Sequence, residues 1–142
     1  MDWASLFNSF DGRISRQPFW IAMGVLLVAE LVGHAAAEAI EGDRLSAILD
    51  LAFTYPEFAV ALKRGHDRNM PLWLLAAFFG ASALLDLLAV LGLAGTGEEP
   101  NVLSLLIAVP FTILGVALLV ELGFRKGTAG PNQHGPDPLA KT

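Results

Sequence analysis

Cysteine is absent from the chain, which excludes disulfides, thiolate metal sites and cysteine nucleophiles. Charge is scarce too. Asp, Glu, Lys and Arg together make 16% of the 142 residues, while apolar residues make 54%; an ordinary soluble domain carries roughly 25% charged residues. No repeat of fixed period is present, and no short apolar core is followed by a small-residue cleavage site. The first apolar run therefore reads as a retained helix and not a cleavable signal. No set of nucleophile, base and orienting group can be assembled either: Ser15 has no histidine nearby in sequence, and no catalytic residue is assigned. The net charge of −5 says little alone, because the location of each sign relative to the apolar blocks decides its meaning.

What the chain does have is apolar residues in long blocks. They predict an all-α integral membrane protein, a single domain over 1–142 with four transmembrane helices over 18–40, 45–62, 71–93 and 102–124. A proline inside the second block, Pro56, predicts a kink, and Pro110 lies inside the fourth. Residues 1–17 form a polar preamble in which Trp3, Leu6, Phe7 and Phe10 fall on one side of a short amphipathic helix suited to a membrane interface. Ser15 is placed to cap the first span, with Pro18 in its first turn. A Gly/Pro-rich tail occupies 125–142.

Orientation follows from the cations. Arg13, Arg16, Lys63, Arg64, Arg68, Arg125, Lys126 and Lys141 fall on one side of these spans, and Arg44 alone falls on the other. This asymmetry over short loops puts both termini in the cytosol (N-in/C-in) and the connectors Glu41–Arg44 and Gly95–Pro100 outside. The stretch Lys63-Arg64-Gly65-His66-Asp67-Arg68 is then a cytosolic connector that meets water.

Three cytosolic pieces carry a resemblance. Phe10-Asp11-Gly12-Arg13-Ile14-Ser15-Arg16-Gln17-Pro18-Phe19-Trp20, then Pro56 with Lys63-Arg64-Gly65-His66-Asp67, then Gly130-Pro131-Asn132-Gln133-His134-Gly135-Pro136-Asp137-Pro138 resemble, in order, the opening, central and closing motifs of domain-of-unknown-function family 805. Gly65 stands where that family has leucine, His134 where it has tyrosine, and Pro71-Leu72 where a Ser-Gly precedes the tryptophan. The resemblance implies a small four-helix protein of the bacterial inner membrane and no particular reaction.

Two constellations carry candidate chemistry. The first is the cytosolic set Arg13, Arg16, Arg64, His66, Asp67, Arg68, Asn132, His134 and Asp137. Arginine pairs match phosphate geometry, so such a set can hold an anionic lipid or a phosphorylated ligand, or receive a partner protein. Alternatively these charges set orientation and pair with each other, with the tail folded over the helix ends. A zinc site from His66, Asp67, His134 and Asp137 is a weaker reading, since neighbours on a helix diverge; no metal or cofactor is expected. The second set lies within the spans. Glu30, His34 and Glu38 share one face of the first helix, with Asp50 and Asp86 on the next two.

The leading expectation is a non-enzymatic module whose cytosolic basic site binds an anion or a partner, with membrane lipids and no nucleic acid among its partners. The alternative is a proton or cation path through Glu30, His34 and Asp86. Four short helices leave a narrow pore, so the alternative calls for a homo-oligomer.

Overall fold

The computed structural model describes residues 2–40, 43–93 and 102–140. The expected connector at Glu41-Gly42, the loop Gly95–Pro100 and Lys141 lie outside them. All regular structure among the described residues is helical: α1 Trp3–Asn8, α2 Arg16–Glu38, α3 Asp43–Arg68, α4 Leu72–Val90 and α5 Val102–Phe124. By length and composition, α2, α3 and α4 can each cross a membrane, and Ala108–Phe124 of α5 forms a shorter apolar helix.

α3 corrects one expectation. The span expected over 45–62, followed by a polar connector, is one continuous helix to Arg68. Its last two turns do not meet water: Lys63, Arg64, His66 and Asp67 are all buried. The helix persists because these side chains find protein acceptors. It stops at Asn69, whose positive φ of 52° is a backbone state asparagine tolerates better than most residues. There the amides of Asn69 and Met70 turn back onto the carbonyls of His66 and Gly65. Pro56 lies inside α3 and removes one N–H from its ladder.

The helix starts also differ from expectation. Ser15 does sit at the N-cap of α2, yet its side chain makes no capping bond. α1 is capped instead by Asp2, whose carboxylate accepts from the amides of Ala4 and Ser5 at 3.1 and 3.3 Å. Trp3 stacks on Phe7 and Leu6 is buried, while Phe10 lies beyond the helix.

α3 is the central element and packs against every other helix. The apolar core gathers toward its C-terminal end, where Leu6, Phe19, Ala22 and Leu26 meet Val60, Ala61, Leu75, Leu118 and Leu122. Gly65 lets α4 approach closely, since a β-carbon there would stand 2.7 Å from Leu75 Cδ1. Away from this core the outer faces stay apolar and exposed, as at Leu27, Val28, Leu31 and Val32 of α2 and Val109, Ile113 and Val116 of α5.

Candidate functional site

An α-helix ends with four carbonyls that have no partner within it. In α5 three of these are taken by side chains from elsewhere. Arg64 Nε donates to the Leu122 carbonyl at 2.7 Å, Trp20 Nε1 to Gly123 at 3.0 Å and Arg16 Nη1 to Phe124 at 3.3 Å. Arg64 goes on to the carbonyls of Ile14 and Arg125, and Arg68 donates to the Lys126 carbonyl and to Glu121. The end of α1 is treated alike: Lys63 Nζ donates to the carbonyls of Ser5 and Leu6, and Tyr55 Oη to Asn8. Cations at helix C-termini also oppose the negative end of the helix dipole. Among the described residues, the buried cations are therefore bound first of all to backbone.

Asp67 is the centre of the same end. Arg13 reaches its Oδ1 through Nε at 3.2 Å and Nη2 at 2.9 Å, and Arg64 binds Oδ2. The Arg13, Arg64 and Asp67 side chains are 1%, 1% and 4% exposed. Arg13 also donates to the carbonyls of Thr128, Gly130 and Gly135, so one guanidinium joins the linker before α2, the end of α3 and the tail. The tail is ordered through these bonds. Thr128 donates from its amide and hydroxyl to the Asp67 carbonyl, and Asn132 Nδ2 donates to that of His66 at 2.9 Å. A tight turn closes between Asn132 and Gly135, and positive φ at Gly130 and Gly135 requires glycine.

Two tail residues have altered ionisation. Asp137 accepts from the amides of Leu139 and Gly130, which hold its carboxyl below its usual range. His134 stacks flat on His66, with ring centres 3.8 Å apart and planes 8° apart. Burial, then His66, then Arg13 push the His134 imidazole below its ordinary value. His66 Nδ1 lies 2.9 Å from the Gly12 carbonyl, an acceptor that assigns the proton to Nδ1.

All nine residues of the first constellation therefore gather at one end of the helices, but they do so unequally. Arg13, Arg64, His66, Asp67 and Asn132 bind mainly other parts of the chain, and Arg68 ties α3 to α5. Face-to-face imidazoles cannot point lone pairs at one ion, and no group among the described residues has the makings of a metal site. Arg16 is different. It is exposed and lies between two adjoining cavities. One, of about 450 Å³, is walled by Trp20, Phe124 and Leu139. The other, of about 330 Å³, runs from Ser15 past Lys126 and Asp137 beneath the tail.

The second constellation comes together between α2, α3 and α4. His34 Nε2 is 2.7 Å from Asp50 Oδ1. Thr54 donates to the Asp50 carbonyl and, at 3.4 Å, to Asp86. Glu38 is exposed and takes no part. Glu57, passed over in the sequence as the neighbour of a kink, adds a further carboxylate in the neighbourhood of Glu30, Asp50 and Asp86.

Residues 7–136 match the model of the family described as "Protein of unknown function (DUF805)". The chain belongs to that family. Relatives of this DUF805 protein include "Uncharacterized protein YiiR" of Escherichia coli strain K12 and its counterpart in Escherichia coli O157:H7. Each is 36% identical over 137 residues, covering 91% of this chain and 85% of the relative. No solved structure matches this DUF805 chain significantly. The family match takes in every residue of both constellations except Asp137, one position beyond its end.

Lys63, Trp20, Tyr55, Thr128 and Glu57 were missed as site residues in the sequence. Only Tyr55 carried a signal, as the one tyrosine of the chain. An amphipathic ring of that kind within an apolar stretch of sequence ordinarily has a partner for its hydroxyl.

Proposed function

We propose that this DUF805 protein is a non-enzymatic module of the bacterial inner membrane, with four spans and both termini cytosolic, whose polar end binds an anionic lipid headgroup. Three helices of membrane-spanning length and their exposed apolar faces support the membrane reading. The cation asymmetry supports the orientation.

The observation that carries the lipid reading is Arg16. Arg13 and Arg64 are enclosed by carbonyls and Asp67, so they hold the shape of the site. Arg16 has one long bond to the Phe124 carbonyl and otherwise faces two cavities. Lys126 lies in one and Trp20 with Phe124 in the other. A headgroup phosphate between Arg16 and Lys126 leaves its acyl chains beside the aromatic wall. That pairing of charge with an apolar flank favours a lipid over a soluble phosphorylated ligand.

The test is native mass spectrometry of purified protein carrying Arg16→Ala, Lys126→Ala or both. At about 1 kcal/mol for each basic residue near a membrane surface, each change should lower retention of anionic lipid roughly fivefold. Retention equal to the parent protein in the double variant sinks the reading.

The grouping of Glu57 with Glu30, Asp50 and Asp86 favours a second reading, a proton or cation path between α2, α3 and α4. Ionisable groups gathered within a bundle of spans are the usual makings of such a path. Proteoliposomes carrying Glu57→Gln should then lose ion flux, and unchanged flux refutes the path.

A further inference from the structure

The roof of the cavity beside Arg16 is the tail itself, contributed by Lys126–Ala129, Asp137 and Leu139. The tail is secured to α3 by Thr128, by Asn132, by the bonds of Arg64 and Arg68 to the Arg125 and Lys126 carbonyls, and by the stack of His134 on His66. The first two attachments are neutral hydrogen bonds. The arginine bonds keep their charge across the physiological range, whereas the stack includes a titratable ring, His134.

We propose that the tail is a pH-sensitive lid over the basic groove, released when His134, stacked on His66, takes up a proton. The proposal rests on the lipid reading only for what the lid covers.

A neutral His134 ring stacks here without electrostatic cost, but an imidazolium in its place would be pressed on the His66 face beside the like charge of Arg13. The surrounding charges offer little relief. Arg13, from the linker before α2, acts on His134 with the same sign. From α3, Arg64 adds another cation, and Asp67 is already bound to both arginines. In the tail, the Asp137 carboxylate is turned onto the amides of Gly130 and Leu139. On the far side of α3, Glu121 of α5 is engaged by Arg68 and Arg125. In the linker, Asp11 adjoins the Gly12 whose carbonyl meets His66, and it has no ion pair among the described residues.

The direction is then set. The docked tail favours neutral His134, whereas a released tail binds a proton near the ordinary histidine value of about 6.5. Docking is complete above that value and weakens as the pH falls below it. Each proton taken up on release weakens docking by at most about tenfold per pH unit.

The experiment is hydrogen exchange on the full chain in lipid nanodiscs between about pH 8 and about pH 5.5, corrected for intrinsic rates. The reporters are the amides of Thr128, Asn132, His134 and Gly135, all bonded in the docked tail. Their protection should fall with acidification in the parent protein. It should stay at its high-pH level in His134→Phe, which keeps a flat ring on His66 but cannot be charged, with His134→Tyr as a second such variant. Parent protection that does not change with pH overturns the proposal. So does a docked variant that keeps the parent's pH dependence. The readout is protection of tail amides and not lipid binding, whereas the Arg16 and Lys126 variants are read by lipid retention. Failure of the lid and failure of the lipid site are therefore distinguishable.

Discussion

Arg64 offers the most demanding test of how the polar end is held together. Its side chain is 1% exposed and donates to three backbone carbonyls, those of Leu122, Ile14 and Arg125, as well as to Asp67. Arg64→Met keeps most of the volume and removes every donor. Two consequences combine: the end of α5 loses a cap, and Asp67 keeps Arg13 as its only cation. Bonds to a charged group are worth about 1.5–3 kcal/mol each, but they are not additive within one network. Breaking a buried ion pair from one side typically costs about 3–5 kcal/mol, and that is the loss expected here. Arg64→Lys should fall in between, since an ammonium cannot reproduce a planar fork. Adding Asp67→Asn to Arg64→Met should cost less than the sum of the single changes, because it removes the stranded charge. The assay is unfolding in mixed detergent micelles, followed by Trp20 fluorescence in a Trp3→Phe, Trp73→Phe background. Trp20 bonds the Gly123 carbonyl and so reports the docking of α5. A loss from Arg64→Met below about 1 kcal/mol, the level of an exposed ion pair, would refute the reasoning.

Other outcomes follow from the same end of the molecule. Lys63→Met leaves the carbonyls of Ser5 and Leu6 without their cation, so α1 should detach at a cost of about 1–3 kcal/mol, seen as faster proteolysis near the N-terminus. Gly127→Ala places a β-carbon against the Asp67 carboxylate, inside contact distance. The tail should then undock without loss of the helices, read as exchange of the Thr128 amide with unchanged far-ultraviolet circular dichroism. The Asp137 carboxyl is held below the ordinary aspartate value of 3.8 by the amides of Leu139 and Gly130. Its support for the tail turn is therefore present above that value and lost as the pH falls through the lower folded value. Asp137→Asn should remove that acid-range loss, measured by exchange at the Gly130 amide.

The helices were legible because their signal is long: blocks of apolar residues mark α2, α4 and α5 to within a few residues. The end of α3 was misread for a definite reason. Lys63, Arg64, His66 and Asp67 look like a solvated connector because polarity usually means water. Here the acceptors are main-chain carbonyls of α1, α5 and the tail, and a carbonyl looks the same whatever residue carries it. Nothing in the sequence marks Leu122 or Ser5 as the partner of a cation dozens of residues away. Glu57 was lost differently, because the proline before it drew a backbone explanation and the carboxylate was not followed across to Glu30. The gathering of Arg13, Asp67 and Asn132 could be expected from matched motifs, but which arginine is enclosed and which is open could not. That depends on where the tail lies.

The carbonyl caps on α5 also bear on the order in which the chain is made. Trp20, Arg16 and Arg64 leave the ribosome well before Leu122, Gly123 and Phe124, the residues whose carbonyls they bind. In the interval Arg64 stands at the end of an apolar helix with neither its α5 carbonyls nor its tail in place. The Ile14 carbonyl and Asp67 are already made, and water fills the places that α5 will take. Completion of the protein is then an exchange, in which a late helix displaces this water and the tail closes over the site. A chain stopped short of Leu122 keeps a solvated guanidinium at that depth, and with it a local difference by which a cell could tell an unfinished copy from a finished one.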